Sequence, residues 1–439
     1  MKKKLLSLVL VFAMMLTMVA CGSKDGDSQA GKDTTPNGDT PAYVTAPITI
    51  DFWHTFGAGV YGEYIADAVQ RFNDTNEYGI TVNATYIGPY TTVRTSLTTS
   101  IGAADNPQVA ILGMSDILAS AGVLADMTPY AERDGYSTDR FYDGIQTSMY
   151  YEDQLTALPF IRSCLMYYYN VDMFAAAGYD AAPTTIEEMV EACKAVSAKY
   201  NNYGFEMLNE ASFVQEYLVR SMGSEGILDE NREGASCLED GTMLKLLTDW
   251  STWTEDGWCA VPKVTDSQNN MCKMLYSGEV ASCIASSALL TTIIDNAKES
   301  GQNFEAVAVP GYDGSGSVGG GGDISVIAAN NDEQQIAAAW EFVKFMMSDE
   351  EIAIRSEETG YLPTTEGAAD LMGDLFAGDA NMQRAYEARQ TCADVEGSIE
   401  RSEWQTQVEA AFSYVIQDGS MSPKEAIEYL EGLLPTVFY

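Results

Sequence analysis

An α/β fold built on an open, mostly parallel sheet is what this sequence predicts, and three observations carry the prediction. Strand-like alternation and helical spacing take turns from residue 48 onward. A breaker, Asn106-Pro107, precedes a further short apolar run. At 439 residues with 46% hydrophobic content, the chain has material for two lobes with cores of their own.

The elements follow in order. Ile48-Thr49-Ile50-Asp51-Phe52-Trp53 alternates and is rich in β-formers, so it reads as a strand. Tyr61, Tyr64, Ile65, Ala68, Val69 and Phe72 then recur at helical spacing. Ile80 to Tyr86 reads as a second strand and Gln108 to Leu112 as a third. Strand, helix, strand, helix, strand is the signature of an open α/β sheet, whose ligands sit beyond the strand carboxyl ends. That rule places Trp53-His54-Thr55 and Gly113-Met114-Ser115-Asp116 at a site. A further strand starts near Leu155, and Leu158 to Ser163 leads into Leu165 to Asn170. Thr185 with Glu188 forms a capping box, and Ile186, Met189, Val190, Cys193 and Val196 make one apolar face. Gly319 to Gly322 reads as a flexible stretch before a strand at Asp323 to Ala328. The run lacks the lysine of a phosphate-cradling loop. Ile336, Trp340, Val343 and Met347 form a core-facing stripe. Ser422-Pro423 with Glu425 starts a last helix with Ile427, Leu430 and Leu434 on its buried side.

Composition removes whole classes of function. Lys and Arg total 24 against 64 Asp and Glu, a formal charge of −40. Phosphate backbones are repelled by such a surface, so no nucleic-acid partner is expected. His54 is the single histidine, which excludes His-rich metal sites; no metal or cofactor is expected. No G-x-S-x-G or H-E-x-x-H motif occurs, and no catalytic residue is assigned.

The amino terminus reads as an address. Lys2, Lys3 and Lys4 precede an apolar run from Leu5 to Val19, short of the about 20 residues that span a bilayer. Residues 1–20 are therefore a signal peptide. Met18-Val19-Ala20-Cys21-Gly22 resembles the lipobox of bacterial lipoproteins, with Met18 where leucine is usual. The resemblance implies diacylglycerol on Cys21, with palmitate-type acyl chains, since two chains anchor stably where one is marginal. Gly22 to Ala46 is rich in Gly, Ser, Thr, Asp and Pro, and reads as a flexible linker. Cys164, Cys193, Cys237, Cys259, Cys272, Cys283 and Cys392 include no C-x-x-C pair, and no required disulfide framework is expected.

Phe52-Trp53-His54-Thr55, before a helix ending Gln70-Arg71-Phe72-Asn73, is similar to the opening of bacterial family 1 extracellular solute-binding proteins. Further stretches agree in order: Thr85 to Tyr90; Leu158-Pro159-Phe160 with Tyr168 to Phe174; Ala285-Ser286-Ser287; and Thr359-Gly360-Tyr361-Leu362-Pro363. The resemblance covers about 47–439. It implies two α/β lobes of the type II periplasmic-binding kind, a hinge of crossing segments and a central cleft. The crossings fall near Phe160 to Ser163, Gly322 to Ile324 and Tyr361 to Pro363. Lobe one is then 47–161 with 323–361, and lobe two is 162–322 with 362–439.

Sugars present flat apolar faces and a rim of hydroxyls, so a cleft for them needs aromatic rings and fixed polar groups. By position against the family's motifs, Tyr90, Ser163, Ser286, Ser287, Gly322 and Tyr361 match ligand-touching places. Phe213 stands where the glycerol-phosphate-binding relatives carry tryptophan. Asp323 joins Gly322, and Ser115 and Asp116 join from the third strand. His54 has either a ligand contact or a structural hydrogen bond, and Arg162 either grips ligand or pairs with an acid. The relatives' phosphate-holding arginine has no clean counterpart, because Arg401 in the stretch from Asp394 does not align.

A neutral sugar or oligosaccharide is therefore the expected ligand, with a sugar or polyol phosphate such as glycerol-3-phosphate as the alternative. The protein is expected to be a monomer on the extracytoplasmic face of the membrane. It would deliver its ligand to the permease and ATPase chains of an ABC importer. A surface glycoside hydrolase or an adhesive lipoprotein is the reading from another class.

Overall fold

The computed structural model describes residues 41–229, 234–312, 318–395 and 398–438. The signal segment, Cys21, the linker up to Thr40, Asp313 to Ser317, and Glu396-Gly397 lie outside the described residues.

The first elements form as the alternation predicts: β1 (Ile48–His54), α1 (Val60–Thr75), β2 (Ile80–Tyr86), α2 (Tyr90–Ala103) and β3 (Val109–Leu112). Strand β1 pairs in parallel with β2 and with β3. Then comes one long strand, β4 (Leu158–Asn170), buried along its whole length. After α3 (Ile186–Tyr200) follow β5 (Glu206–Met207), β6 (Ser282–Ser286), β7 (Phe304–Val307) and β8 (Val318–Val326). Next come α4 (Glu333–Met346), α5 (Ala380–Gln390), β9 (Ala393–Asp394), α6 (Ile399–Phe412) and α7 (Pro423–Phe438).

Helix starts obey their capping residues. Thr185 Oγ1 accepts from the Glu188 amide, while the Glu188 carboxylate reaches Thr184 rather than Thr185. Ser422 and Glu425 complete a reciprocal box at α7.

The main sheet has nine strands in the path β2-β1-β3-β8-β4-β6-β5, with β9 on β8 and β7 on β4. It is mixed rather than mostly parallel. Strand β8 runs antiparallel to both β3 and β4, because it re-enters the first half from the second. The first part of β4 pairs with β8 at Ile161↔Gly322 and Cys164↔Gly319. Its last part pairs with β6 from Leu165 to Tyr169 and with β7 from Tyr167 to Asn170. One strand thus belongs to both halves of the molecule.

Gly319 to Gly322 also depart from the expected loop, since they are strand. Their lack of side chains serves close approach. A Cβ at Gly321 would stand 1.9 Å from the Ile161 carbonyl oxygen, and one at Gly319 would stand 2.5 Å from Arg389 and Asp394 atoms.

Each half has its own core. Phe52, Phe72, Ile111, Trp340, Phe342 and Val343 lie in one, with Ile324 and Val326 from the far end of β8. Tyr167, Leu246, Trp250, Trp404 and Phe412 lie in the other. Met166, Tyr168 and Cys283 pack on the opposite face of the second half, as the period of two along β4 requires. The seven cysteines of the body are buried, and none of them is in a disulfide bond.

Candidate functional site

The three expected crossings meet at Arg162. Its side chain is 2% exposed, and its four Nη hydrogens find acceptors inside the protein, while Nε faces a carboxylate as an ion pair. Nη1 donates to the carbonyls of Ile161 at 2.8 Å and Gly322 at 2.9 Å. Nη2 donates to Asp323 Oδ1 at 2.5 Å and Ser148 Oγ at 2.6 Å. Nε lies 2.6 Å from Asp394 Oδ2. Burial opposes the guanidinium charge, but Asp323 and Asp394 outweigh it and hold the pKa above the usual arginine value. Arg389 pairs with the other Asp394 oxygen at 2.5 Å. Two arginines and two aspartates therefore cancel in charge.

Asp323 sits where the β4–β8 register shifts between Gly322 and Ile324. The irregularity lets its carboxylate also accept from Ser115 Oγ at 3.0 Å and Ser148 Oγ at 3.2 Å. Asp116 is nearly buried as the first residue of the short helix that follows Ser115. Of this group, Ser115, Arg162 and Asp323 are brought together, with their polar atoms turned on one another.

Tyr90 opens α2 with its ring between two glycine backbones. A Cβ at Gly113 would stand 3.0 Å from Tyr90 Cγ, and one at Gly322 would stand 2.4 Å from its hydroxyl. Burial pushes that phenol up, and Asp323 adds to the effect. Tyr361 lies 5.7 Å from Tyr61 and 6.3 Å from Phe56, ring centre to ring centre. Phe56 stacks on Tyr61 at 5.9 Å and tilts against Phe160 at 6.0 Å. Burial holds the Tyr361 hydroxyl well above the ordinary phenol range, helped by Tyr90 and Tyr61. The Tyr61 hydroxyl donates to the Ala288 carbonyl at 3.2 Å, so an α1 side chain reaches the segment after β6.

Around that contact, Ser286 Oγ accepts from the Ala288 amide and Ser287 Oγ accepts from the Cys164 amide at 3.1 Å. Ser163 Oγ donates to the Gly320 carbonyl at 3.3 Å. Phe213 is nearly buried, and a Cβ at Gly320 would be 3.9 Å from its ring. Glu210 comes just before it, its carboxyl raised to about 7 by burial and by Glu409. The His54 Nδ1 accepts from the Phe56 amide at 3.3 Å, and burial lowers its pKa to about 4, so the imidazole is neutral near pH 7. This hydrogen bond orders the Phe56 turn.

Phe56, Tyr61 and Glu210 were missed by the sequence reading. Tyr61 falls on the apolar stripe of α1 and reads as core, and Phe56 sits in a loop without periodicity. Two cavities, of about 430 and 610 Å³, flank the second half, lined by Lys245 and Tyr312 and by Tyr203, Lys263 and Lys273 respectively. None of the predicted site residues lines either one.

Two lobes sharing crossing strands, with rings and hydroxyls gathered where the strands cross, define a two-domain solute-binding protein of the periplasmic kind. The model of the bacterial extracellular solute-binding protein family matches residues 67–384, and the chain belongs to that family. It is thus an extracytoplasmic binding protein and not an enzyme. A putative binding protein of Brucella abortus is 24% identical over 329 residues, covering 73% of this chain and 77% of its own. UgpB from Mycobacterium tuberculosis, solved with glycerophosphocholine, superposes with TM-score 0.77 at 20% identity over 90% of this chain and 98% of its own. An ABC substrate-binding protein from Listeria monocytogenes, solved with cycloalternan, gives TM-score 0.77 at 18% identity over 89% and 98%.

Proposed function

We propose that this protein captures a neutral sugar or oligosaccharide between its lobes and hands it to the permease of an ABC importer. The observation that carries the reading is the pairing of an aromatic group, Phe56, Tyr61, Tyr90 and Tyr361, with cations that are already neutralised. Rings stack on the apolar faces of sugars, and backbone and hydroxyl groups meet their rims. Tyr90, Ser163, Phe213, Ser286, Ser287, Gly322 and Tyr361 form the proposed ligand surface. Arg162, Asp323 and Ser115 order it from behind, with His54 and Asp116 beside it.

A glycerol-3-phosphate or related phosphate ligand is the second reading, favoured by the likeness to the glycerophosphocholine-bound protein. It needs a cation with donors to spare. Arg162 and Arg389 are engaged by Asp323 and Asp394, and Arg401 is held 3.4 Å from Glu216. The neutral ligand fits this arrangement better.

The lobes in this reading are 47–161 with 323–361, and 162–322 with 362–439. Ala368 and Met372 pack back on the first core, so the third crossing is spread along the chain. The protein acts as a monomer tied to the membrane by lipid on Cys21. The chain enters the body against the first lobe: Arg133 donates to the Ala42 carbonyl at 2.6 Å and lies over the Tyr43 ring, and Thr45 bonds Gln334 of α4. A tether starting there holds the first lobe nearest the membrane.

A thermal-shift screen of mono- and oligosaccharides beside glycerol-3-phosphate tests the reading. Ligand at 100 times its dissociation constant stabilises by about 2.7 kcal/mol, a readable upward shift. A shift with the phosphate ester and none with any neutral sugar contradicts it.

A further inference from the structure

Arg162 touches all three of the expected crossing segments. It lies on the first, its guanidinium holds the Gly322 carbonyl and Asp323 of the second, and its own carbonyl accepts from the Leu362 amide of the third at 3.1 Å. Through Nε it also holds Asp394 of β9. The two carboxylates have different allegiances. Asp323 is fixed by Ser115 and Ser148, both from the first half. Asp394 is fixed by Arg389 at the end of α5, whose Met382 and Ala385 pack in the second half.

We infer that Arg162 is a positioning residue, not a ligand contact: it ties Asp323 of one lobe to Asp394 of the other and so sets the angle at which the lobes close. The inference rests on the two-lobe binding reading above. A buried ion pair adds little net stability, because desolvation offsets the attraction, but it demands one geometry. The planar guanidinium fork enforces two directions at once, which an ammonium cannot do. The glycine run follows from the same need. A side chain at Gly319 would occupy the place of Arg389 and Asp394, and one at Gly321 would push β8 off β4. The tie also places the ligand surface, because Gly322 backs Tyr90 and Leu362 follows Tyr361.

Arg162→Lys keeps the charge and loses the fork. Asp394→Asn keeps the Arg162–Asp323 pair and loosens the other lobe. Circular dichroism first establishes that each folds, and Asp394→Asn decides the matter if Arg162→Lys does not. Small-angle scattering of the ligand-free full chain then reads the lobe angle. Each folded variant is expected to have a larger radius of gyration than the wild type. With maltotriose as probe, its release from the variants is expected to be about tenfold faster at unchanged association rate. Scattering curves that superpose on the wild type, with only the melting temperature lowered, overturn the inference. If maltotriose fails to bind the wild type, that counts against the sugar reading, and the ligand-free scattering still decides the role of Arg162.

Discussion

The Tyr90 hydroxyl lies so close to the Gly322 backbone that a Cβ there would stand 2.4 Å from the oxygen, with the ring atoms Cε1 and Cζ at 2.7 and 2.8 Å. The ring cannot retreat, because Gly113 backs its other edge. Gly322→Ala must therefore move either Tyr90 or β8. Sugar affinity is expected to fall by tenfold or more, about 1.4 kcal/mol per decade, as measured by calorimetry. Unchanged affinity removes Tyr90 from the ligand surface.

Tyr361 has ring neighbours on α1 and on the turn before it. Tyr361→Ala should cost about 1–3 kcal/mol of sugar binding while the fold holds, since the side chain is only half-buried. Tyr61→Phe keeps the ring and loses the hydrogen bond to Ala288. Its expected cost is smaller, about 1 kcal/mol. Equal losses for the two would show that the rings do not stack on ligand.

Much of this fold could be read from the residues. Alternation located β1, β2 and β3, and capping pairs located α3 and α7, because those signals are local. The glycine run was misread because its cause lies elsewhere in the chain: Gly319 makes room for Arg389 and Asp394. The sheet's mixed sense was hidden for a like reason, since local pattern does not say which neighbour a returning strand meets. At the site, Tyr90, Gly322 and Tyr361 came from motif resemblance, and the structure sets Tyr90 against Gly322 and Tyr361 beside them. Arg162 and Asp323 were picked as polar residues at a crossing, but that they satisfy one another is a long-range fact.

Buried acids set a pH dependence. Glu206 is fully buried, and burial raises its carboxyl to about 7, with Lys263 opposing and Glu279 adding. Glu210 is raised to about 7 as well. Between the unfolded value of 4.5 and about 7, the native state holds protons that the unfolded chain has released, so these groups make stability fall as pH rises. His54 works the other way: its pKa falls from 6.5 to about 4, and its contribution is lost as pH drops through that window. Glu206→Gln should raise the unfolding free energy at pH 8 more than at pH 5, by on the order of 1–3 kcal/mol at the higher pH, read by denaturant melts. An equal change at both values contradicts the assignment.

The seven buried thiols give a simple check. Reductant should leave the melting temperature unchanged, and thiol titration after unfolding should find all seven free. A fall in melting temperature with reductant would reveal a disulfide bond.

The most direct measurement is paired calorimetry and small-angle scattering of the full chain with a series of neutral oligosaccharides and with glycerol-3-phosphate. The account predicts that one of the neutral sugars binds with micromolar or tighter affinity and shrinks the radius of gyration, while the phosphate ester does neither. Tight binding of the ester, or carbohydrate binding without compaction, would contradict it.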